Sequence, residues 1–358
     1  DPLSLHDALP ISASIKVAND AKVTTAATMG LAGTWLIDPV DFTIAASGGD
    51  MTGVVLGANL GSGNVTIQST SGASGTSGNV NVNDVVAWSA NKLTLNAQNN
   101  ININANLNGS GTASLALQYG QGAVAASNAS YYSLNNGAQV NLTAGQNFST
   151  LLGFDGVVKN YTVITSLGVA GSTTTNDLQG MQGNLSGDYV LGSNIDASAT
   201  GTWSSAAGFT PIGNQNTSFT GIFDGLGHTI SSLAITGSSN NVGLFSSTGS
   251  GSVIQNVGMV GGSVGGNTDV GGLVGTNTGV INNSYVTGNI SSGTRNVGGL
   301  VGANSGSINS SYATGNVNVS GTGNNVGGLV GTNYGSVSNS YATGSVSALG
   351  THIGGRSE

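Results

Sequence analysis

The hexapeptide Val-Gly-Gly-Leu-Val-Gly occurs three times, at 270–275, 297–302 and 326–331. The first two copies start 27 residues apart, the next two 29 apart, and Ile353-Gly-Gly begins a fourth copy 27 residues further on. A fixed period of about 20–50 residues is typical of a solenoid or an array. Because glycine and β-branched residues disfavour helix interiors, these repeats predict strands rather than helices.

Each repeat predicts three short strands, represented by Gly-Leu-Val, Ser-Val-Ser and Tyr-Ala-Thr, with Gly, Asn and Ser in the turns between them. Each strand is expected to pair with its copy in the next repeat, about 4.8 Å away. The fold predicted for the chain is therefore all-β: a right-handed parallel β-helix, or solenoid, with an irregular middle segment.

Three sets of residues recur in phase with the hexapeptide, which predicts a fixed place for each set in every coil. The leucines are expected to stack inside as an aliphatic ladder, and a second apolar position repeats with them. The asparagines are expected to stack at a turn, because asparagine tolerates left-handed backbone geometry and bonds to its own backbone. The leucines are Leu273, Leu300 and Leu329; the second apolar anchors are Ile281, Ile308 and Val337; the asparagines are Asn277, Asn304 and Asn333.

A tyrosine also recurs, at Tyr285, Tyr312 and Tyr341, inside SYVTG, SYATG and SYATG. Two interpretations fit this spacing: an exposed aromatic stripe on which glycans stack, or a buried aromatic stack. A degenerate earlier copy of the repeat has Gly258 where the later copies have tyrosine.

The first half of the chain repeats more loosely. Val80-Asn-Val82 precedes Ile101-Asn-Ile103 by 21 residues, and Leu93-Thr-Leu95 precedes Leu115-Ala-Leu117 by 22. These two interleaved series predict coils of about 21–22 residues, again stacked as a β-helix. The middle of the chain is less regular, with strands expected at 189–191 and 228–230 and one short helical turn at 176–181, started by an Asn or Asp cap.

The GGLVG sequence followed by NSYxTG resembles the GLUG repeat of bacterial exported proteins. The stretches at 209–213 and 219–230 resemble the segment that precedes such repeats. Upstream, 33–39, 63–67 and 88–120 resemble large exoproteins of the filamentous haemagglutinin type, which are exported by two-partner secretion. The resemblance implies haemagglutinin-type β-helix coils at 13–120, an irregular connector with strands and a short helical turn at 121–240, and a GLUG-repeat β-helix of period 27–29 at 241–355.

Both termini are interpreted as translated sequencing adapter rather than native protein. The four residues Ala-Leu-Pro-Ile at 8–11 and the three residues Arg-Ser-Glu at 356–358 are encoded by complementary stretches of one common adapter. On this interpretation 1–12 and 356–358 are not native. The remainder is an internal fragment whose secretion domain would precede it.

The composition argues against several classes of function. Six Lys and Arg stand against fourteen Asp and Glu, so a basic nucleic-acid-binding surface is not expected. No run approaches the roughly 18 apolar residues of a transmembrane helix, and the absence of cysteine excludes a thiolate metal site. No cofactor or metal is expected, because the calcium-binding repeats of β-rolls need an Asp at fixed phase and Asp269 is not repeated.

β-Helices also carry polysaccharide lyases and hydrolases, whose chemistry needs carboxylates that converge on one face. The closest acid pair, Asp38 and Asp41, flanks a proline in an apparent turn. Asp224 and His228 could form an acid/base pair or half a metal site, but Asp-Gly is also a turn, and Arg295 is expected in a solvated inter-repeat loop. We therefore do not expect an enzyme.

The function expected from the resemblance is a structural shaft and adhesive segment of a large secreted adhesin at the bacterial cell surface. Its expected partners are surface glycans or proteins and an outer-membrane secretion pore reached through the missing N-terminal domain. The alternative is a non-catalytic part of a secreted carbohydrate-active β-helix enzyme or of a secreted peptidase. Carboxylates clustered with arginine on one face would favour the enzyme.

Overall fold

The computed structural model describes residues 15–25, 33–70, 77–321, 324–350 and 352–354. Strands make up 43% of the protein and helices 7%, and the strands stack in parallel coils as a β-solenoid, which confirms the predicted all-β fold. Both segments interpreted as adapter, 1–12 and 356–358, lie outside the described residues. The chain divides into two compact units, Asp1–Tyr161 and Thr162–Glu358. This division falls inside the predicted connector, 121–240.

The first unit is a stack of three-stranded coils. Its strands form three parallel sheets with the orders β1-β3-β6-β9-β12, β2-β4-β7-β10 and β5-β8-β11. Apolar side chains alternate with polar ones along most of them, so that one face of each strand fills the interior. The strands are β1 (Thr34–Ile37), β2 (Phe42–Ile44), β3 (Asn64–Ser69), β4 (Val80–Val82), β5 (Val86–Trp88), β6 (Lys92–Ala97), β7 (Ile101–Ile103), β8 (Leu107–Gly109), β9 (Ser114–Tyr119), β10 (Tyr132–Leu134), β11 (Val140–Asn141) and β12 (Gly145–Leu152).

The pairing registers of this unit contain both predicted spacings. Val80 pairs with Ile101, and Leu93 pairs with Leu115. The coil after these is longer, because Ile101 pairs with Tyr132 across an inserted loop. Loop insertions of this kind explain why the period is hard to find in the first half of the sequence.

One α-helix, α1 (Gly53–Leu60), was not predicted from the sequence. Thr52 caps its start, and Asp84 Oδ2 accepts a hydrogen bond from Gly53 N at 2.8 Å. The helix lies against β5 through its glycines: a Cβ at Gly57 would collide with the backbone of Ala87 in that strand, and a Cβ at Gly53 with the backbone of Val85 just before it. The glycines that make this run poor in helix propensity are therefore what lets the helix pack.

The second unit also consists of parallel coils. Its sheets have the orders β13-β14-β16-β20-β24-β28-β33, β15-β17-β21-β25-β29-β34, β18-β22-β26-β30-β35 and β19-β23-β27-β32, and β31 and β36 extend the pairing beside β26. The strands are β13 (Lys159–Ile164, which crosses the division), β14 (Tyr189–Leu191), β15 (Ile195–Asp196), β16 (Ile222–Asp224), β17 (Thr229–Ser231), β18 (Ala234–Ile235), β19 (Phe245–Thr248), β20 (Val253–Gln255), β21 (Gly258–Val260), β22 (Ser263–Val270), β23 (Val274–Asn277), β24 (Val280–Asn282), β25 (Tyr285–Val286), β26 (Asn289–Gly298), β27 (Val301–Asn304), β28 (Ser307–Asn309), β29 (Tyr312–Ala313), β30 (Val317–Val319), β31 (Asn324–Gly327), β32 (Val330–Asn333), β33 (Ser336–Ser338), β34 (Tyr341–Ala342), β35 (Val346–Ser347) and β36 (Ile353–Gly354).

Each repeat has four sides in the second unit, not the three that were predicted. The additional side consists of β22, β26 and the strands paired with β26, whose Gly-, Ser- and Asn-rich sequences were interpreted as turns. These segments become strands because their neighbours in the next coil offer backbone partners along most of their length. Arg295 consequently lies in β26, paired with Thr268 and Asn324, so its placement in a loop was wrong; its side chain is exposed as expected.

The segment predicted as an irregular connector contributes strands to both units. The predicted strand at 189–191 coincides with β14, and the one at 228–230 differs from β17 by one residue. The predicted helical turn is a 3-10 helix at Gln179–Gly183, where Asp177 Oδ1 accepts a hydrogen bond from Gly180 N at 2.7 Å. A further 3-10 segment at Ser198–Ala206, interrupted by a kink at 203–205, was not predicted.

The interior of the second unit changes character along its length. Its early coils are filled by aromatic side chains, including Phe219, Phe223 and Phe245, whose rings lie 4.9 to 5.4 Å apart. In the repeats the same interior is aliphatic. Phenylalanine occupies more volume than leucine or valine, so the early coils can enclose a wider and less periodic core.

Replacing Gly315 by alanine is expected to destabilise the second unit by about 1–3 kcal/mol, because overpacking against backbone cannot relax locally. A Cβ at Gly315 would collide with the carbonyl oxygen of Gly288, one coil earlier. Urea unfolding followed by circular dichroism measures the change. Gly201→Ala is the control, since a Cβ there would have nothing within 4 Å, and its stability should stay within about 0.5 kcal/mol of the wild type.

Candidate functional site: the tyrosine column

Tyr285, Tyr312 and Tyr341, here called the tyrosine column, project outward from three consecutive coils. Tyr285 is the Cα partner of Tyr312, and Tyr312 that of Tyr341. The ring centroids are 4.9 and 5.2 Å apart, and the ring planes differ by only 2° and 6°. Tyr285 and Tyr312 are half-buried and Tyr341 is 48% exposed, so the column lies on the outside of the coils.

The rings of the column are inclined toward the preceding coil. A Cβ built on Gly258, the Cα partner of Tyr285, would collide with the Cζ, Oη and Cε1 atoms of the Tyr285 ring. The far end of that ring therefore covers the backbone of the coil before it. Parallel rings at this centroid spacing are offset-stacked. Each ring then overlaps its neighbour while part of its outer face remains open.

The middle hydroxyl group of the column, that of Tyr312, stays neutral. Burial raises the pKa of the Tyr312 hydroxyl, and the neighbouring Tyr285 and Tyr341 raise it further. A tyrosine whose pKa lies above its usual value of about 10 is protonated at neutral pH. The middle of the column thus presents a neutral phenol group rather than a charge.

Polar rows accompany the column on both sides. Thr287, Thr314 and Thr343 follow the tyrosines by two residues and lie directly after β25, β29 and β34. On the other side Asn283, Ser310 and Asn339 are exposed at a corner, where each has a φ between 47° and 50°. We call these the threonine row and the corner row.

The asparagines predicted at a turn form an internal ladder instead. Asn277 and Asn304 are fully buried, and neither they nor Asn333 adopts a left-handed φ. Asn277 Nδ2 donates to Asn304 Oδ1 at 2.8 Å, and Asn304 Nδ2 donates to Asn333 Oδ1 at 2.7 Å. The expectation of left-handed geometry at these positions was wrong, because the left-handed residues lie at other corners.

The ladder amides also bond to the turn that follows each of them. In the first coil, Asn277 Oδ1 accepts from Gly279 N at 3.2 Å, and its Nδ2 donates to Gly279 O at 3.2 Å. Asn304 makes the same pair of bonds with Gly306. The expected hydrogen bonds between these asparagines and nearby backbone are therefore present. The asparagines that make them lie at the ends of strands, with Asn277 and Asn304 in the interior.

The apolar anchors lie in the interior. Leu273, Leu300 and Leu329 are at most 1% exposed and lie just before β23, β27 and β32. Ile281 and Ile308 are fully buried and pair in register with each other, while Val337 in the last complete coil is only partly buried.

Asp224 and His228 are both buried, and their side chains contact the turn between them and residues of the neighbouring coils. Asp224 Oδ1 accepts from Leu226 N at 2.8 Å and from Asn256 Nδ2 at 3.0 Å, while Oδ2 accepts from Gln255 Nε2 at 2.7 Å. His228 Nδ1 lies 3.2 Å from Asn194 Oδ1. A carboxylate enclosed by amide donors is a structural element of a turn.

The other acids likewise lie in turns or bond to nearby residues. Asp41 Oδ1 accepts from Asn79 N at 2.8 Å, whereas burial raises the pKa of Asp38, one of whose oxygens lacks a hydrogen-bond partner in the described structure. Asp269 accepts from Asn296 Nδ2 at 2.7 Å. Within the described ranges, no group of three or more His, Cys, Asp or Glu is placed to hold a metal ion.

External amide ladders in the first unit were not identified from the sequence. Asn102 Nδ2 donates to Asn81 Oδ1 at 2.8 Å, and Asn135 Nδ2 donates to Asn104 Oδ1 at 2.8 Å. The signal was present in the alternating Asn-rich stretch 99–108, which was interpreted only as a strand.

None of the helices that the structure describes combines the length and apolar character needed to span a bilayer.

Comparison with known proteins gives two local similarities. The family described as "The GLUG motif" matches residues 266–291 and 322–347, which confirms the GLUG repeats. Halomucin of Haloquadratum walsbyi is 45% identical over 114 residues, which is 30% of this chain and 1% of halomucin. The chain thus spans about 1% of that relative's length. No solved structure matches significantly. The haemagglutinin-type, two-partner assignment stays a prediction.

Proposed function

We propose that this chain is a structural repeat segment, or shaft, of a large extracellular surface protein, and that this protein is an adhesin. The observation that carries the proposal is the parallel pairing of each repeat with the next in the second unit. Two GLUG matches and the similarity to halomucin support an extracellular setting. Export by two-partner secretion belongs to the same proposal and draws on the haemagglutinin-like sequences upstream.

A shaft needs stiffness along its axis, and the coil-to-coil bonds of the second unit supply it. Every sheet of that unit runs through consecutive repeats, so bending a coil away from its neighbour breaks backbone hydrogen bonds on several sides together. The ladder of Asn277, Asn304 and Asn333 adds side-chain bonds through the interior. Catalysis is not part of the proposal, because Asp224 and Asp41 accept hydrogen bonds from structural donors.

The proposal is tested in the organism that makes the protein. Antibodies against this chain should label intact, unpermeabilised cells, and brief external protease treatment should remove the signal. The purified chain should show no turnover of polysaccharides or peptides. Labelling only after permeabilisation would contradict the proposal, as would hydrolysis abolished by Asp224→Asn.

A further inference from the structure

We propose that the tyrosine column, with the threonine and corner rows, binds an extended neutral polysaccharide whose sugar rings lie along the stack of coils. The inference rests on the proposed function and specifies the ligand class for it. The column is outward-facing, periodic and aromatic, and these three properties decide which ligands fit it.

The inclination of the rings provides the stacking surface. The far end of the Tyr285 ring lies over Gly258, so this ring leans back onto the preceding coil. The later rings are parallel to it within a few degrees. The face of an aromatic ring is electron-rich, and the axial C–H groups of a pyranose are its natural complement. Each ring is overlapped by the next along the column, so Tyr285 and Tyr312 offer only the outer parts of their rings, while Tyr341 is the most exposed of the three.

The spacing of the column selects an extended polymer. Successive rings are 4.9 and 5.2 Å apart, and this is close to the length of one hexose unit in an extended chain. A polysaccharide that runs along the column would thus place one sugar on each ring without changing register. Each added contact is intramolecular after the first, so weak contacts multiply.

The flanking rows match the hydroxyl groups of such a polymer. Thr314 and Thr343 are exposed beside the column, as are Asn283, Ser310 and Asn339 on its other side. Hydroxyl and amide groups both donate and accept hydrogen bonds, as sugar hydroxyls do. These groups recur once per coil, in step with the rings.

The absence of charge on this face specifies a neutral ligand. The segments 280–287, 307–314 and 336–343, which carry the column and both rows, contain no Asp, Glu, Lys, Arg or His. The Tyr312 hydroxyl, whose pKa is raised, is protonated at neutral pH. An anionic polysaccharide would find no cation here, and the chain as a whole carries a net charge of −8.

The test is retention of the full chain on insoluble neutral polysaccharides, namely amorphous cellulose and chitin, at low and high salt. Replacing all three tyrosines by alanine (Y285A/Y312A/Y341A) is expected to weaken binding on the order of 100-fold, at about 5-fold for each ring. The matched Y285F/Y312F/Y341F variant keeps the rings and should bind within about 5-fold of the wild type. Tyr334→Ala is the control: Tyr334 is 81% exposed but lies outside the column, so binding should not change.

Several results would overturn the inference. One is a folded triple-alanine variant that binds as well as the wild type, and another is a loss of binding in Tyr334→Ala equal to that in the triple variant. The others are retention of the wild type only on charged polysaccharides or protein-coated surfaces, and no retention on either neutral polymer. If the triple variant does not fold, Tyr341→Ala alone should weaken binding about 5-fold, because this ring is the most exposed of the three. If the chain does not bind neutral polysaccharide but antibodies still label intact cells, the proposed ligand is rejected and the proposal of a shaft is unaffected.

Discussion

Replacing Leu300 by alanine is expected to lower the free energy of unfolding of the second unit by about 3 kcal/mol. Leu300 is fully buried in the middle of the leucine ladder. Its N–H donates to Leu329 O at 2.9 Å, and its carbonyl oxygen accepts from Leu273 N at 3.0 Å. These backbone bonds hold the coil in place, so the surroundings cannot collapse into the space left by the missing side chain. Equilibrium urea unfolding of the purified chain measures the difference.

The matched control for this change is Leu349→Ala. Leu349 is 82% exposed, so removing its side chain should alter stability by less than about 0.5 kcal/mol. Equal effects of the two substitutions would contradict the placement of the leucine ladder inside the coils. It would also remove the reason for the repeated leucine in the hexapeptide.

Replacing Asn304 by alanine is expected to cost about 2–3 kcal/mol, because the change leaves buried polar groups without partners. Asn304 links Asn277 below it to Asn333 above it, and its Oδ1 accepts from Gly306 N at 3.2 Å. Water cannot replace these bonds readily, since Asn304 is fully buried. The midpoint and slope of urea unfolding report the loss.

The control is the end of the same ladder. Asn333 is exposed, and Asn304 Nδ2, which loses an acceptor in Asn333→Ala, keeps its bond to Gly306 O at 3.3 Å, so this change should cost less than about 1 kcal/mol. A loss at Asn333 as large as at Asn304 would show that the ladder acts through its turn bonds alone. No loss at either position would show that the stack of amides does not stabilise the coils.

The parallel architecture could be predicted because the period of the repeat is visible along the sequence. Residues 27 or 29 apart become Cα partners, as Ile281 and Ile308 do, since each strand meets its own copy in the next coil. The number of sides could not be predicted. β26 has the composition of a turn, and it is a strand only because β22 and β30 lie beside it with free backbone groups.

The orientation of individual side chains was predictable to different degrees. Alternation along a strand separates interior from exterior, which is why Ile281 and Ile308 face inward. The asparagine set could not be placed by this rule, because asparagine is common at exposed corners as well as in internal ladders. In the structure, Asn283 and Asn339 take the left-handed corners, while Asn277 and Asn304 stack inside.

The sequence by itself determined that this protein is a stack of parallel β-coils, that each predicted strand of a repeat pairs with its copy in the next, and where the GLUG repeats lie. A periodic chain can satisfy its backbone and bury its aliphatic residues in register by stacking each coil on the last. Only the tertiary structure decided that the tyrosines lie outside. Their exposure depends on how the left-handed corners at Asn283 and Ser310 turn the next strand, and on the bare backbone of Gly258, over which the first ring lies.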